Sequence, residues 1–208
     1  MVHSAAATRN VPPAAADAPK RPARIILIRH GQPAIPISPR TGHKGFRHYI
    51  ADYEEAGLDP TSLPPAEIRD LVAELVAVFT SDKKRARESA HVLAGRAEVI
   101  ADPLFIEAPL ASPRVPLLRM SVPKWAVLAR VLWHAGFHPG IEAPGKAQKR
   151  AREAAGILTA RAEQDGAVAL VAHGYFNFLI GRVLSARGFR QTGRHRARFW
   201  NAVIYERG

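Results

Sequence analysis

The chain of 208 residues carries 30 Lys and Arg against 18 Asp and Glu, a formal charge of +12, and it contains no Cys. At roughly 100–200 residues per domain this length suits one domain, and 47% apolar with 23% charged residues is a globular composition. The absence of Cys excludes disulfides, thiolate metal sites and a cysteine nucleophile, and no apolar run approaches the ~18 residues of a membrane span; together these point to a soluble, cytoplasmic protein.

The excess charge is concentrated at the two ends. Residues 1–24 hold Arg9, Lys20, Arg21 and Arg24 against Asp17. This Ala/Pro-rich stretch has too few large apolar residues to offset its ordering entropy, so a disordered basic tail is expected there, followed by a single domain over 25–208. It lacks the apolar stretch of a secretory signal, and its prolines oppose the amphipathic helix of a transit peptide. Residues 181–208 hold seven Arg against Glu206 alone.

In chain order, Ile25-Ile26-Leu27-Ile28 predicts a buried strand. A polar stretch runs from Gly31 to Gly45, then a helix over about Phe46–Glu55. Val76–Thr80 predicts the next strand, 83–95 a helix ended by Gly95, and Val99–Ala101 a third strand stopped by Asp102-Pro103. Helices are expected around 123–135 and 146–164, ended by Gly136 and Gly166. Ala167–Ala172 predicts a fourth strand, Tyr175–Ala186 a helix, and Phe199–Tyr205 a fifth strand. Short apolar strands alternating with helices predict an α/β fold: a three-layer sandwich with a mostly parallel central sheet and helices on both faces.

Ligands of such sheets bind beyond the carboxyl ends of the strands. Arg29, His30 and Gly31 follow the first strand; Ser81 and Asp82 follow the second, with Arg85 one turn into the helix. Glu107 lies in the loop after the third strand, and His173-Gly174 follows the fourth. Arg, His and Glu are seldom buried without partners, so their convergence on one sheet edge points to chemistry rather than packing. A phosphoryl group needs positive charge and planar donor forks, which Arg29 and Arg85 supply. Helix N-termini at the strand ends add N–H donors. A neutral imidazole is a competent nucleophile toward phosphorus, and a nearby carboxylic acid can protonate the leaving alcohol and then activate water. Gly31 lets the backbone turn close to a ligand. This set requires no metal and no cofactor.

Leu27-Ile28-Arg29-His30-Gly31 resembles the strand-terminal Arg-His-Gly motif of the histidine phosphatase superfamily, the phosphoglycerate mutase-like enzymes. Thr80–Ala90 is similar to that family's second-arginine motif, Asp102–Glu107 to its acid-bearing loop, and Leu170–Gly174 to its second His-Gly strand end. These four ordered motifs span residues 25 to 205. The resemblance implies His30 as a nucleophile forming a phosphohistidine. It implies Arg29, Gly31, Arg85, His173 and Gly174 around the phosphoryl group, with His173 and Glu107 also catalytic, Glu107 as the proton donor. His-Gly at 173–174, and Gln32-Pro33 after the first motif, separate the chain from the acid phosphatase and phytase branch.

Gln32–Pro36 lacks the acidic-Ser…Trp-Asn signature of the mutases, which favours a phosphatase acting on a small phosphorylated metabolite. Thr41–Tyr49 stands where many small phosphatases carry another motif. Gln32, Lys44, Arg47 and Ser81 are therefore candidates for a substrate pocket, and the segments 32–70 and 111–145 for its cover. The alternatives are mutase-type phosphoryl transfer and protein-phosphohistidine hydrolysis. A basic nucleic-acid binder is the alternative from another class, drawn from Arg187, Arg190, Arg194, Arg196 and Arg198 beside Phe189 and Phe199, though no recognition signature accompanies that run. His134 and His138 have the spacing of a helical metal pair, but Gly136 and Pro139 oppose it. Trp125, Trp133 and Trp200 are expected in the core, and the oligomeric state is not encoded in any of these patterns.

Overall fold

In the computed structural model, residues 22–36 and 40–208 are described. The tail expected over 1–24 lies outside them as far as residue 21, and Ala23 and Arg24 already belong to the first strand. Six strands, β1 (Ala23–Arg29), β2 (Ala77–Thr80), β3 (Glu98–Ala101), β4 (Ala167–Ala172), β5 (Arg190–Thr192) and β6 (Ala202–Arg207), form one sheet in the order β3-β2-β4-β1-β6-β5. β1, β4, β2 and β3 run parallel, with Leu27 beside Leu170 and Leu170 beside Phe79. β6 lies antiparallel to β1, and β5 antiparallel to β6. The expected α/β architecture is thus present, with an antiparallel edge on a mostly parallel sheet.

Strand residues alternate between two cores, as the two-residue period of a strand requires. On one face Ile25, Leu27, Val168, Leu170, Val203 and Tyr205 meet α5 (Pro144–Asp165) and α6 (Gly174–Ala186). The inward face of α5 is almost all Ala, which lets this 22-residue helix lie close against the sheet. On the other face Ile26, Ile28, Val78, Ala169 and Val171 meet α2 (Ala66–Val72) and α3 (Lys84–Ala94). A third, smaller cluster joins α1 (His43–Glu55) to α4 (Val122–His134): Phe46 stacks on Trp125 at 5.7 Å, and the Trp125 indole N–H donates to the Thr41 carbonyl at 2.8 Å. The segments 32–70 and 111–145 therefore meet where α1 packs on α4. All three Trp are buried.

The structure differs from the sequence expectation in three elements. The last strand begins at Ala202 rather than Phe199, because Trp200 takes a positive φ of 56° that ends any extended run. β5 is a fully exposed Arg-Gln-Thr that has no apolar pattern and exists only through its pairing with β6. α2 presents only Ile68 and Val72 inward, too short a period to be told from a loop. Among the described residues no helix is long and apolar enough to cross a membrane.

Candidate active site

Adjacent parallel strands deliver the two imidazoles side by side. The His30 N–H, just past β1, donates to the Ala172 carbonyl at the end of β4 (2.8 Å), and Asn177 Nδ2 donates to the Ile28 carbonyl (3.0 Å). The His30 and His173 rings stand edge to face with centroids 5.2 Å apart, and both are buried. His30 Nδ1 lies 2.7 Å from the Gly31 carbonyl, which only accepts, so Nδ1 carries the proton and Nε2 carries the lone pair. His173 Nε2 is bonded to Ser81 Oγ at 2.8 Å, while its Nδ1 is buried without a partner. Ser81, itself fully buried, fixes the second imidazole rather than lining an open pocket.

Burial drives both imidazoles well below the usual histidine range. Around His30 the Arg29 and Arg85 charges add to that effect, with the bond to the Gly31 carbonyl opposing it; around His173, His30, Arg85, Arg29 and Lys83 add to it. Both rings are therefore neutral near pH 7, as a nucleophilic nitrogen requires.

Arg85 is completely buried. One guanidinium nitrogen donates to the Tyr53 and Glu54 carbonyls (2.6 and 3.3 Å) at the negative end of α1, the other faces Glu54 Oε1 at 3.5 Å, and the group lies over the Tyr53 ring at 4.4 Å. Arg29 donates to the Ala197 carbonyl at 2.5 Å and stacks over Phe199 at 4.5 Å. The Nε of each arginine is buried and unpaired. Arg29 Nε, Arg85 Nε and, with Ser81 donating to His173 Nε2, His173 Nδ1 are thus three buried donors without a partner on residues neighbouring His30. Such orphaned groups cost about 1–3 kcal/mol each unless an acceptor arrives, and their cationic surroundings fit an anion.

Gly31 is wedged beneath Trp200. A Cβ there would overlap the indole and come within 2.5 Å of Leu58 Cδ1. The Gly31 N–H donates to Ser89 Oγ (2.9 Å), and Ser89 in turn donates to the Arg85 carbonyl (2.7 Å), tying the loop after β1 to α3. Gly174 opens α6 with its backbone beside the Arg29 side chain.

Glu107 caps the start of α6. Its Oε1 accepts the N–H groups of Ala108 (2.9 Å) and Phe176 (2.8 Å), and its Oε2 accepts that of Tyr175 (3.1 Å). Oε1 is saturated by two donors, so Oε2 keeps the lone pair that a proton would occupy. Two arginines bracket this residue. Arg150 of α5 donates to the Leu104 and Ile106 carbonyls (2.8 and 2.7 Å), pairs with both oxygens of Glu142, and lies over the Phe176 ring at 3.9 Å. Arg130 of α4 donates to the Ala108 carbonyl (2.7 Å) and lies over Tyr175 at 4.1 Å.

The other expected pocket residues are not gathered at this center. Lys44 and Arg47 are exposed on α1. Neither lines the cavity of about 610 Å3 beside α1, which is bounded by Ile35, Thr41, His48, Tyr49 and Asp52 among others. Gln32 is exposed, with its backbone held by Ser62 and Asp59. Residues not anticipated from sequence include Tyr53, whose hydroxyl lies 3.3 Å from His30 Nε2, and Phe199, whose ring is 5.8 Å from that of His30. Only the aromatic residue following the C-terminal arginine run hinted at the latter. Phe189 is buried under Arg207, and Phe199 is half-buried beneath Arg29. His134 ends α4 and bonds the Tyr175 hydroxyl at 2.6 Å, while His138 lies beyond the helix.

A family model described as histidine phosphatase superfamily (branch 1) matches residues 25–204. Solved structures of similar fold include the product of open reading frame Rv3214 of Mycobacterium tuberculosis, at 17% identity over 88% of this chain and 90% of that one, with a TM-score of 0.56. A mycobacterial glucosyl-3-phosphoglycerate phosphatase in complex with inorganic phosphate matches at 21% identity over 78% of each chain, TM-score 0.52. A variant of phosphoserine phosphatase from Entamoeba histolytica in complex with phosphoserine matches at 14% identity over 87% of this chain and 89% of that one, TM-score 0.52. At these identities what is shared is the fold. No curated protein matches the sequence. With the family model spanning nearly the whole described domain, the chain belongs to branch 1 of the histidine phosphatase superfamily.

Proposed function

We propose that the protein is a metal-independent phosphomonoester hydrolase that works through a phosphohistidine on His30 and acts on a small phosphorylated metabolite. The observation that carries this reading is the set of three buried, unpaired polar atoms, on Arg29, Arg85 and His173, beside an imidazole whose Nε2 carries the lone pair and is held only by the Tyr53 hydroxyl. An incoming phosphoryl group accepts from all three, which neutralises its charge and aligns phosphorus with Nε2. Nε2 then forms the P–N bond as the P–O ester bond breaks. The leaving alkoxide takes the proton carried on Glu107 Oε2. In the second step the Glu107 carboxylate removes a proton from water, the water oxygen bonds to phosphorus, and the P–N bond breaks to return neutral His30 and free phosphate. The similar folds of phosphatases named for glucosyl-3-phosphoglycerate and phosphoserine support a small-metabolite substrate.

The test is hydrolysis of an aryl phosphate in the presence of EDTA. Turnover should persist there, and His30→Ala should abolish both turnover and acid-labile phosphate labelling. Labelling retained in His30→Ala would exclude His30 as the nucleophile.

A further inference from the structure

A second cavity, of about 360 Å3, opens between the outer face of α6 and the β5–β6 edge of the sheet. From α6 it receives Arg182 and Ser185, from β5 Gln191, and from the β5–β6 loop Arg194 and His195; Tyr205 of β6 forms part of its wall. The loop that lines it continues as Ala197 and Phe199 to the active site.

A chain of directed hydrogen bonds braces this wall. Gln191 Nε2 donates to the Gly193 carbonyl at 2.9 Å, so its Oε1 faces Tyr205 and accepts the phenol proton at 3.0 Å. Tyr205 has only one proton to give, so its oxygen accepts from His195 Nε2–H at 2.9 Å. His195 is thereby fixed with its proton on Nε2, and Nδ1 is left as its open position. Burial pushes the Tyr205 phenol up to about 12, which keeps it a donor at any physiological pH. Gly181 makes the arrangement possible, because a Cβ there would overlap the Tyr205 hydroxyl and stand 2.9 Å from His195 Nε2.

The charge on this wall is unbalanced. Arg190 pairs with Glu206 and Arg207 with Glu163, whereas among the described residues neither Arg182 nor Arg194 lies within pairing distance of a carboxylate. Two guanidinium groups facing one cavity repel each other, and an anion between them converts that repulsion into two charge-assisted forks.

We propose that this cavity is a second anion site, distinct from the phosphoryl site, which takes the phosphate group of a small soluble molecule between Arg182 and Arg194, with the Ser185 hydroxyl as a further donor. The loop gives the site a path to the chemistry. Asn201 Nδ2 donates to the Arg194 carbonyl at 3.1 Å, and the Asn201 carbonyl accepts the Arg29 N–H at 2.9 Å. An anion that holds Arg194 therefore steadies the loop whose Ala197 carbonyl orients the Arg29 guanidinium.

The experiment follows the His195 imidazole resonance of the full chain by NMR during titration with inorganic phosphate, with the signal assigned through His195→Gln. A saturable shift at millimolar phosphate is expected. The double variant Arg182→Gln, Arg194→Gln should weaken the fitted Kd by at least about tenfold. Both side chains are exposed, so the variant is expected to fold, and an unchanged thermal midpoint checks that. No saturable shift up to about 20 mM phosphate, or the same Kd in the double variant, overturns the proposal. Flotation with vesicles containing phosphatidic acid separates a lipid headgroup from a soluble ligand: the soluble reading requires equal vesicle binding by wild type and double variant, and variant-sensitive vesicle binding overturns it.

Discussion

The Tyr53 hydroxyl stands 3.3 Å from Nε2 of His30, the ring nitrogen left with a lone pair once Nδ1–H is engaged by the Gly31 carbonyl. The phenol is thus a hydrogen-bond donor to the nucleophile, and phosphorus must displace it to attack. A neutral hydrogen bond is worth about 1 kcal/mol net, a factor of about five in binding. Tyr53→Phe should therefore lower KM for an aryl phosphate about fivefold with kcat little changed. Tyr53→Ala also removes the ring beneath Arg85 and should raise KM by roughly tenfold through loss of a cation–π contact. Steady-state kinetics on the two variants decide the matter. A loss of kcat beyond about tenfold in Tyr53→Phe would mean that the hydroxyl serves the chemical step instead.

Glu107 makes a separable prediction through leaving-group chemistry. Glu107→Gln keeps the Oε1 bonds of the helix cap, loses the bond from the Tyr175 N–H and cannot supply a proton, so hydrolysis of alkyl phosphates should fall about 10²- to 10³-fold while activated aryl phosphates are affected far less. Arg150→Met should show the same selectivity in weaker form, because Arg150 holds the carbonyls of Leu104 and Ile106 just before Glu107. It also leaves the Glu142 carboxylate without its partner, at a stability cost of roughly 2–4 kcal/mol for this mostly buried pair. A merely structural role for Arg150 would depress alkyl and aryl rates equally, so the ratio of the two rates is the measurement.

Much of this site is legible in the chain because the parallel strands are short apolar runs that end abruptly in polar residues. Ile25–Ile28 leads straight to Arg29 and His30, and Ala167–Ala172 to His173, so the sheet edge can be assembled from strand ends alone. Tyr53, Arg130 and Arg150 were not legible for a different reason. They reach the center from α1, α4 and α5, and an amphipathic pattern says which face of a helix turns inward without saying which neighbour it meets. The placement of Tyr53 depends on α1 packing against α4 through Phe46 and Trp125, a contact between segments about 80 residues apart. The same ground applies to Lys44 and Arg47, which occupy the solvent side of that helix.

The depressed imidazoles set the pH dependence. His30 must be neutral to attack, and burial with the nearby Arg29 and Arg85 charges holds its titration well below 6.5. The acidic limb of kcat/KM should therefore lie below pH 6.5, with activity undiminished between about pH 7 and 6.5. Arg29→Gln removes one of the smaller causes and should move the limb upward only part of the way, because burial is the larger one. Stability follows with the same sign. Below about pH 6.5 the unfolded chain binds protons that folded His30 and His173 do not, so unfolding free energy should decline as pH falls through that range. Urea melts across pH 5 to 7.5 test this, and flat stability over the range would contradict the burial of two neutral imidazoles.

The contact between Gly31 and Trp200 yields a coupling that can be measured directly. Trp200 cannot easily retreat: its indole N–H donates to Ser62 Oγ at 3.0 Å, its positive φ already holds the backbone in a strained region, and it is buried. A Cβ on residue 31 must therefore displace either that indole or the loop carrying His30. Gly31→Ala should cost about 1–3 kcal/mol as an overpacked site, a drop of several degrees in Tm for a chain of this size, together with a large loss of kcat/KM. Trp200→Leu alone should also destabilise, by leaving a cavity. If the overlap with the indole is the cause, the double variant will be more stable than the sum of the two single changes predicts, with a coupling of about 1 kcal/mol or more. Simple additivity in thermal or urea melts would place the cost of Gly31→Ala elsewhere, in the approach to Leu58 Cδ1.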